Sequence, residues 1–134
     1  MTDANQDLAI RYGAAWAAHD VDAIVALHTD DTVFHSHGAG DPAEGRSAVR
    51  EAIVAIFAQC PDLRFDRKRV HFGEDHVVSE YEMAGTVDGN PFACDGVDVF
   101  TLGNGRIARK DTYLDWATIQ GQLAGDRVAQ AASS

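Results

Sequence analysis

Hydrophobic positions recur with a helical spacing up to Pro61 and with a spacing of two beyond it. Leu8, Tyr12, Ala15 and Trp16 fall on one stripe of a helix over roughly Asn5–Ala18. His19-Asp20 breaks that pattern, and Asp20 is placed to N-cap a second helix over Val21–His28, with Val21, Ile24, Val25 and Leu27 as its apolar stripe. A third helix is predicted over about Gly45–Gln59, with Val49, Ile53, Ile56 and Phe57 on its apolar side and Pro61 closing it. Between the second and third helices, Thr32–His37 reads as a short strand and Gly38–Gly45 as a loop containing Pro42. The period-two segments are Leu63–Phe72, His76–Val87, Pro91–Leu102 and Arg106–Leu114. Their connections, Gly73-Glu74-Asp75, Asp88-Gly89-Asn90 and Gly103-Asn104-Gly105, have the composition of hairpin turns. Helices first and an antiparallel meander afterwards define an α+β chain, with the helices on one face of a curved sheet and a pocket between the layers.

The alternation also assigns faces. On Pro91–Leu102 one face collects Phe92, Cys94, Gly96, Asp98, Phe100 and Leu102, which makes Asp98 the one ionisable group among apolar neighbours. Such a carboxylate must find a partner, take up a proton or serve a ligand. On His76–Val87, Tyr81 and Met83 share a face opposite Glu80 and Glu82 and are expected to point inward. On Arg106–Leu114, Ala108, Lys110, Thr112 and Leu114 lie opposite Ile107, Arg109, Asp111 and Tyr113. If the first set is inward, Lys110 reaches Asp98 and a plain ion pair accounts for both. Tyr12, between Leu8 and Trp16, is either a core tyrosine with a satisfied hydroxyl or a phenol aimed at the same interior.

Composition narrows the choices. The 134 residues, 46% of them hydrophobic, suit one domain, assigned here to residues 1–123, with the small and polar residues 124–134 expected to fray. A formal charge of −10 repels phosphate backbones and anionic lipid, so neither nucleic acid nor a membrane is an expected partner. No leader-like or membrane-spanning apolar run occurs, and a cytoplasmic protein is expected. Cys60 and Cys94 fit no metal spacing and read as reduced thiols. Six histidines invite a metal, and His35-Ser36-His37 puts two imidazoles on one strand face, with Asp41 or Glu44 as a third ligand. A solvated pair at the rim is the simpler account. His19, His71 and His76 lie at predicted ends and turns and are expected to be exposed, while His28 closes the second helix. The cluster Arg64, Arg67, Lys68 and Arg69 reads as a solvated strand face or a subunit contact.

The runs Arg11-Tyr12-Gly13-Ala14-Ala15-Trp16, Asp20 to Leu27 and Asp30-Asp31-Thr32-Val33-Phe34 resemble the opening of bacterial ketosteroid isomerases. Asp98-Val99-Phe100 and Gly105-Arg106-Ile107 are similar to their last two strands. The resemblance spans about Leu8–Trp116 and implies the NTF2-like superfamily, which also holds SnoaL-like polyketide cyclases and limonene epoxide hydrolases. It implies a cone-shaped fold with a strongly curved, mostly antiparallel sheet, and a homodimer formed through the open sheet face. Tyr12 then falls on the family's oxyanion-hole tyrosine and Asp98 on its protonated oxyanion-hole aspartic acid, two donors for the charge of an enolate. The family's catalytic base falls on Ser36, whose hydroxyl cannot serve alone. His35 and His37 flank that position, and a bulge near Gly38 would be needed to aim one inward. The Arg/Asp pair of the epoxide hydrolases falls on Tyr81 and Met83 and their second Asp on Thr112, so that water-activating set is absent. A SnoaL-like cyclase uses an acidic residue on the last strands, for which Asp98 or Asp111 is available.

The resulting expectation is an isomerase or aldol-type cyclase without metal or other cofactor, acting on an apolar carbonyl compound. Trp16, Phe34, Phe57, Tyr81, Met83, Phe100, Lys110, Thr112 and Leu114 would line its pocket, Tyr12 and Asp98 would hold the substrate oxygen, and His35 or His37 would move the proton near Ser36. A non-catalytic binding module that lost its base, and a metal-dependent enzyme using His35 and His37, are the alternatives.

Overall fold

The computed structural model describes residues 2–123; the expected frayed tail lies outside them. The chain runs α1 (Thr2–Ala17), α2 (Val21–Ala26), β1 (His28–His37), β2 (Ala43–Glu44), α3 (Arg46–Gln59), β3 (Arg64–Phe72), β4 (His76–Val87), β5 (Asn90–Gly103) and β6 (Arg106–Leu114), and residues 116–123 are again helical. Local chemistry fixes these boundaries. The Asp20 carboxylate accepts the Ala23 N–H at 3.1 Å and caps α2. Asp88-Gly89 and Asn104-Gly105 each place two successive residues at positive φ, the conformation a two-residue hairpin turn requires. Asp115 accepts both the N–H and the hydroxyl of Thr118 and starts the last helical segment.

The six strands form one mixed sheet in the order β2-β1-β6-β5-β4-β3, in which β1 runs parallel to β6 and every other pair is antiparallel. Helices cover one face, and the core of Leu8, Trp16, Ile24, Val49, Ile53, Val77, Phe92, Phe100 and Ile107 sits between them and the sheet. None of the described helices is long and apolar enough to cross a membrane.

Three local features depart from the pattern expected of the chain. β1 begins at His28 rather than Thr32, so His28 belongs to the strand and not to the helix before it. The predicted loop contains a short strand, β2, paired with Val33 and Phe34 of β1. β6 carries an extra residue, Ala108, where its register against β5 shifts between Thr101 and Leu102. That bulge turns Ile107 inward together with Lys110, although strict alternation places them on opposite faces.

Candidate functional site

Asp98, on β5, sits where its two flanking strands bring hydroxyls together. Its direct cross-strand neighbours are Ser79 on β4 and Thr112 on β6. Thr112 Oγ1 donates to Asp98 Oδ1 at 2.7 Å, and Tyr81 Oη donates to the same oxygen at 2.8 Å. Tyr81 reaches across Gly96, its own pairing partner, where a Cβ would come within 2.8 Å of the ring. The other carboxylate oxygen, Oδ2, faces Lys110 Nζ at 3.8 Å. The carboxyl thus takes its two hydroxyl partners from Thr112 and Tyr81, and Lys110 stands beside its other oxygen.

Lys110 is held by aromatic faces: its Nζ lies 4.0 Å from the ring centre of Trp16, 5.1 Å from those of Tyr12 and Phe34, and 5.7 Å from that of Phe100. Burial pulls its pKa below the usual lysine range, more strongly than the Asp98 charge raises it. The Tyr81 phenol moves up, through burial and then through the adjacent Asp98 charge. The indole N–H of Trp16 is buried and makes no hydrogen bond among the described residues.

Two cavities meet at this pair. One, of about 450 Å³, is lined by Tyr12, Val77, Ser79, Phe100 and the mouth residue Arg67. The other, of about 380 Å³, is lined by Phe34, Ser36, Met83, Thr112, Leu114 and Trp116. Trp16, Phe65, Tyr81, Asp98 and Lys110 border both, so the charged pair stands at the junction of two apolar compartments.

Tyr12 does not reach Asp98. Its hydroxyl pairs with His28 Nε2 at 2.9 Å, and His28 Nδ1 pairs with Thr32 Oγ1 at 2.8 Å. His28 is fully buried, and burial, with the charges of Lys110 and Arg46 adding to it, lowers its pKa to about 3. The ring is therefore neutral, with one nitrogen donating and the other accepting. If Nε2 accepts, Tyr12 spends its proton on His28; if Nε2 donates, the Tyr12 O–H is free to turn to the cavity. Burial also raises the Tyr12 pKa.

Other expected site residues fall elsewhere. β1 pairs with β6 in continuous register from Val33 to His37, so no bulge re-aims a side chain near Gly38. Phe34 and Ser36 accordingly face the cavity, while His35 and His37 lie on the outer sheet face and cannot act as its base. There His37 meets Asp111 at 2.8 Å and stacks on Tyr113, and Arg109 donates two bonds to the same Asp111. His35, His37 and Asp111 bring three ligand atoms within 4.8 Å of one another, a set able to hold a metal, but Asp111 is already committed to Arg109 and the set is remote from the cavity. Phe57 packs on Trp16 and His19 and borders neither cavity. His19 is half-buried there, its Nε2 on the Leu63 carbonyl, and not exposed. Phe65 and His28 were not singled out by their sequence context. Alternation carried back from Thr32 does not reach His28, because the register against β6 shifts between His28 and Val33 and Asp30 faces solvent.

Helices over a mixed sheet, with a charged pair at the junction of two apolar cavities, define an NTF2-like fold. Residues 9–110 match the model of the SnoaL-like domain, and the chain belongs to that family. Similar folds include a Catenulispora acidiphila protein with a ketosteroid isomerase-like fold, solved in complex with trimethylamine (TM-score 0.79, 20% identity, covering 86% of this chain and 90% of that one). A Shewanella putrefaciens protein named as a SnoaL-like polyketide cyclase matches with TM-score 0.79 and 19% identity, covering 89% of this chain and 95% of that one. An M. tuberculosis LEH-like epoxide hydrolase matches with TM-score 0.77 and 21% identity, over 100% of this chain and 98% of that one. At these identities the likeness is one of fold. No curated protein matches the chain.

Proposed function

We propose that the chain is an enzyme that binds an apolar carbonyl compound in the joined cavities and moves a proton at the carbon next to its carbonyl. Asp98, the acidic residue expected of a cyclase on the last strands, takes the role of base that Ser36 cannot fill. Lys110 receives the carbonyl oxygen as it gains charge, with Tyr12 joining it when His28 donates to it. The observation that supports this reading is the buried Asp98–Lys110 pair opening onto both cavities. A cation facing the oxygen and an acceptor facing the carbon are what enolate formation needs. Isomerisation and intramolecular aldol cyclisation are the reactions such an enolate enters, and the cyclase name of the Shewanella putrefaciens protein agrees with the second. The ligand held by the Catenulispora acidiphila protein supports the use of this fold as a small-molecule container. Pairing of two copies through the outer sheet face, where Tyr113 is exposed, is part of the same reading.

Exchange of α-hydrogens for deuterium, followed by NMR over enones, β-keto compounds and steroids, tests the proposal. Asp98→Asn is expected to slow exchange about 10²-fold to 10⁴-fold while the ligand still binds, and His35→Ala with His37→Ala to leave the rate unchanged. Binding without exchange in the unsubstituted protein would instead favour a non-catalytic binding module.

A further inference from the structure

The chain contains two lysines, Lys68 and Lys110. Lys68 stands exposed on β3, with its ammonium 2.6 Å from Asp95. Lys110 is only 5% exposed to solvent, yet it borders both cavities. Its separation of 3.8 Å from Asp98 is longer than an ordinary hydrogen bond. A lysine serving only to neutralise Asp98 would close on it. Here the amine is kept near an acid, ringed by apolar faces and open to whatever occupies the cavities.

We propose that Lys110 is a nucleophile and that a carbonyl ligand of the cavity is held as a Schiff base on its Nζ. The inference rests on the reading of the cavity as a carbonyl site, and it replaces a cation near the oxygen by a covalent bond to the carbon. Lys110 first passes a proton to Asp98, leaving an amine and a carboxylic acid. The nitrogen lone pair then adds to the carbonyl carbon, the C=O π electrons move to oxygen, and a proton passes from nitrogen to that oxygen to give a carbinolamine. Asp98 returns its proton to the hydroxyl, which leaves as water as the C=N bond forms. One ammonium and one carbonyl become one protonated imine and one water, with no oxidant or reductant consumed. The positive charge survives the reaction, so the rings around Lys110 and the Asp98 carboxylate keep the partner for which they are arranged. Burial, which lowers the lysine pKa, raises the share of free amine. The imine in turn withdraws electrons from the neighbouring carbon, whose proton Asp98 is placed to remove.

The full-length protein is incubated with 3-phenylpropanal at neutral pH, with and without cyanoborohydride, and its peptides are mapped by mass spectrometry. One reductant-dependent adduct on Lys110 is expected, exceeding those on Lys68 and the N-terminus severalfold because the cavities gather the apolar probe beside this amine. Lys110→Met, checked for folding by circular dichroism, is expected to lose it. Labelling confined to Lys68 or the N-terminus overturns the inference in the unsubstituted protein, without recourse to the variant. If Lys110 is unlabelled while the probe's α-hydrogens still exchange in an Asp98-dependent way, the Schiff base falls and the proton-transfer reading stands. If the probe neither labels nor binds, both fall.

Discussion

His28 makes stability depend on pH through a single buried ring. In the folded chain its pKa is about 3; in the unfolded chain it returns to about 6.5. Above the unfolded value both states are neutral and the site contributes its full stability. As pH falls below about 6.5, the unfolded state binds a proton that the folded state refuses, and stability drops by about 1.4 kcal/mol per unit until the folded value is reached. The two values give a loss of about 2.5 kcal/mol between pH 7 and pH 4.5, and about 5 kcal/mol in full. Structurally, the penalty is that of charging a ring with no exposure to water, whose accepting nitrogen holds Tyr12 or Thr32. Equilibrium urea unfolding at fixed protein concentration, read by tryptophan fluorescence at both pH values, measures it. His28→Gln loses stability at pH 7 through its altered packing, but its further loss on going to pH 4.5, where carboxylates also titrate, should be smaller than that of the unsubstituted protein by about 2.5 kcal/mol. A wild-type protein equally stable at pH 7 and pH 4.5, or a variant with the same slope, would refute the reasoning.

Two further outcomes concern the site. At 3.8 Å and an effective dielectric of about 20, the attraction between Asp98 and Lys110 is about 4 kcal/mol; Asp98→Asn and Lys110→Met should therefore show a coupling of about 2 to 4 kcal/mol in a double-mutant unfolding cycle, and additivity within about 0.5 kcal/mol would dissolve the pair. Gly96→Ala drives a methyl into Tyr81 and Leu114, whose atoms lie 2.8 and 2.7 Å from its Cβ position; a cost of about 1 to 3 kcal/mol is expected, together with slower proton exchange as Tyr81 is pushed from Asp98, and an unchanged rate would show that the Tyr81 bond is dispensable.

The fold was legible where one rule governed a whole segment. Alternation held without interruption along β5, so Asp98 and its apolar neighbours could be placed inside from sequence. Gly-containing turns with positive-φ demands marked both tight hairpins. Legibility stopped where a register shift broke the count: the bulge at Ala108 sent Ile107 inward, and the bulge at Lys68 brought Arg67 and Val70 to one cavity wall from a strand that reads as solvated. For the site, the residue types were readable but their pairings were not. Nothing along the chain says that Tyr12 meets a histidine sixteen positions on, or that Tyr81 chooses Asp98, because those bonds depend on how helix and sheet are docked. The partners of Asp98 were likewise a matter of neighbours, supplied as Thr112, Tyr81 and Lys110 from two other strands.

The parallel pairing of β1 with β6 has a consequence for biosynthesis. Phe34 and Ser36 are joined to Lys110 and Thr112 by a ladder whose second strand leaves the ribosome some seventy residues after the first. Until then β1 has only the two residues of β2 beside it, and the wall of the cavity that carries Ser36 has no neighbour on its other side. Contacts this distant in sequence form late and slowly. A chain arrested near Gly105 would hold α1 to α3 and most of the meander yet lack both Lys110 and the strand that closes the sheet. The binding site and the completed fold are thus one and the same late event, and a newly made molecule that has closed its sheet has its charged pair already in place.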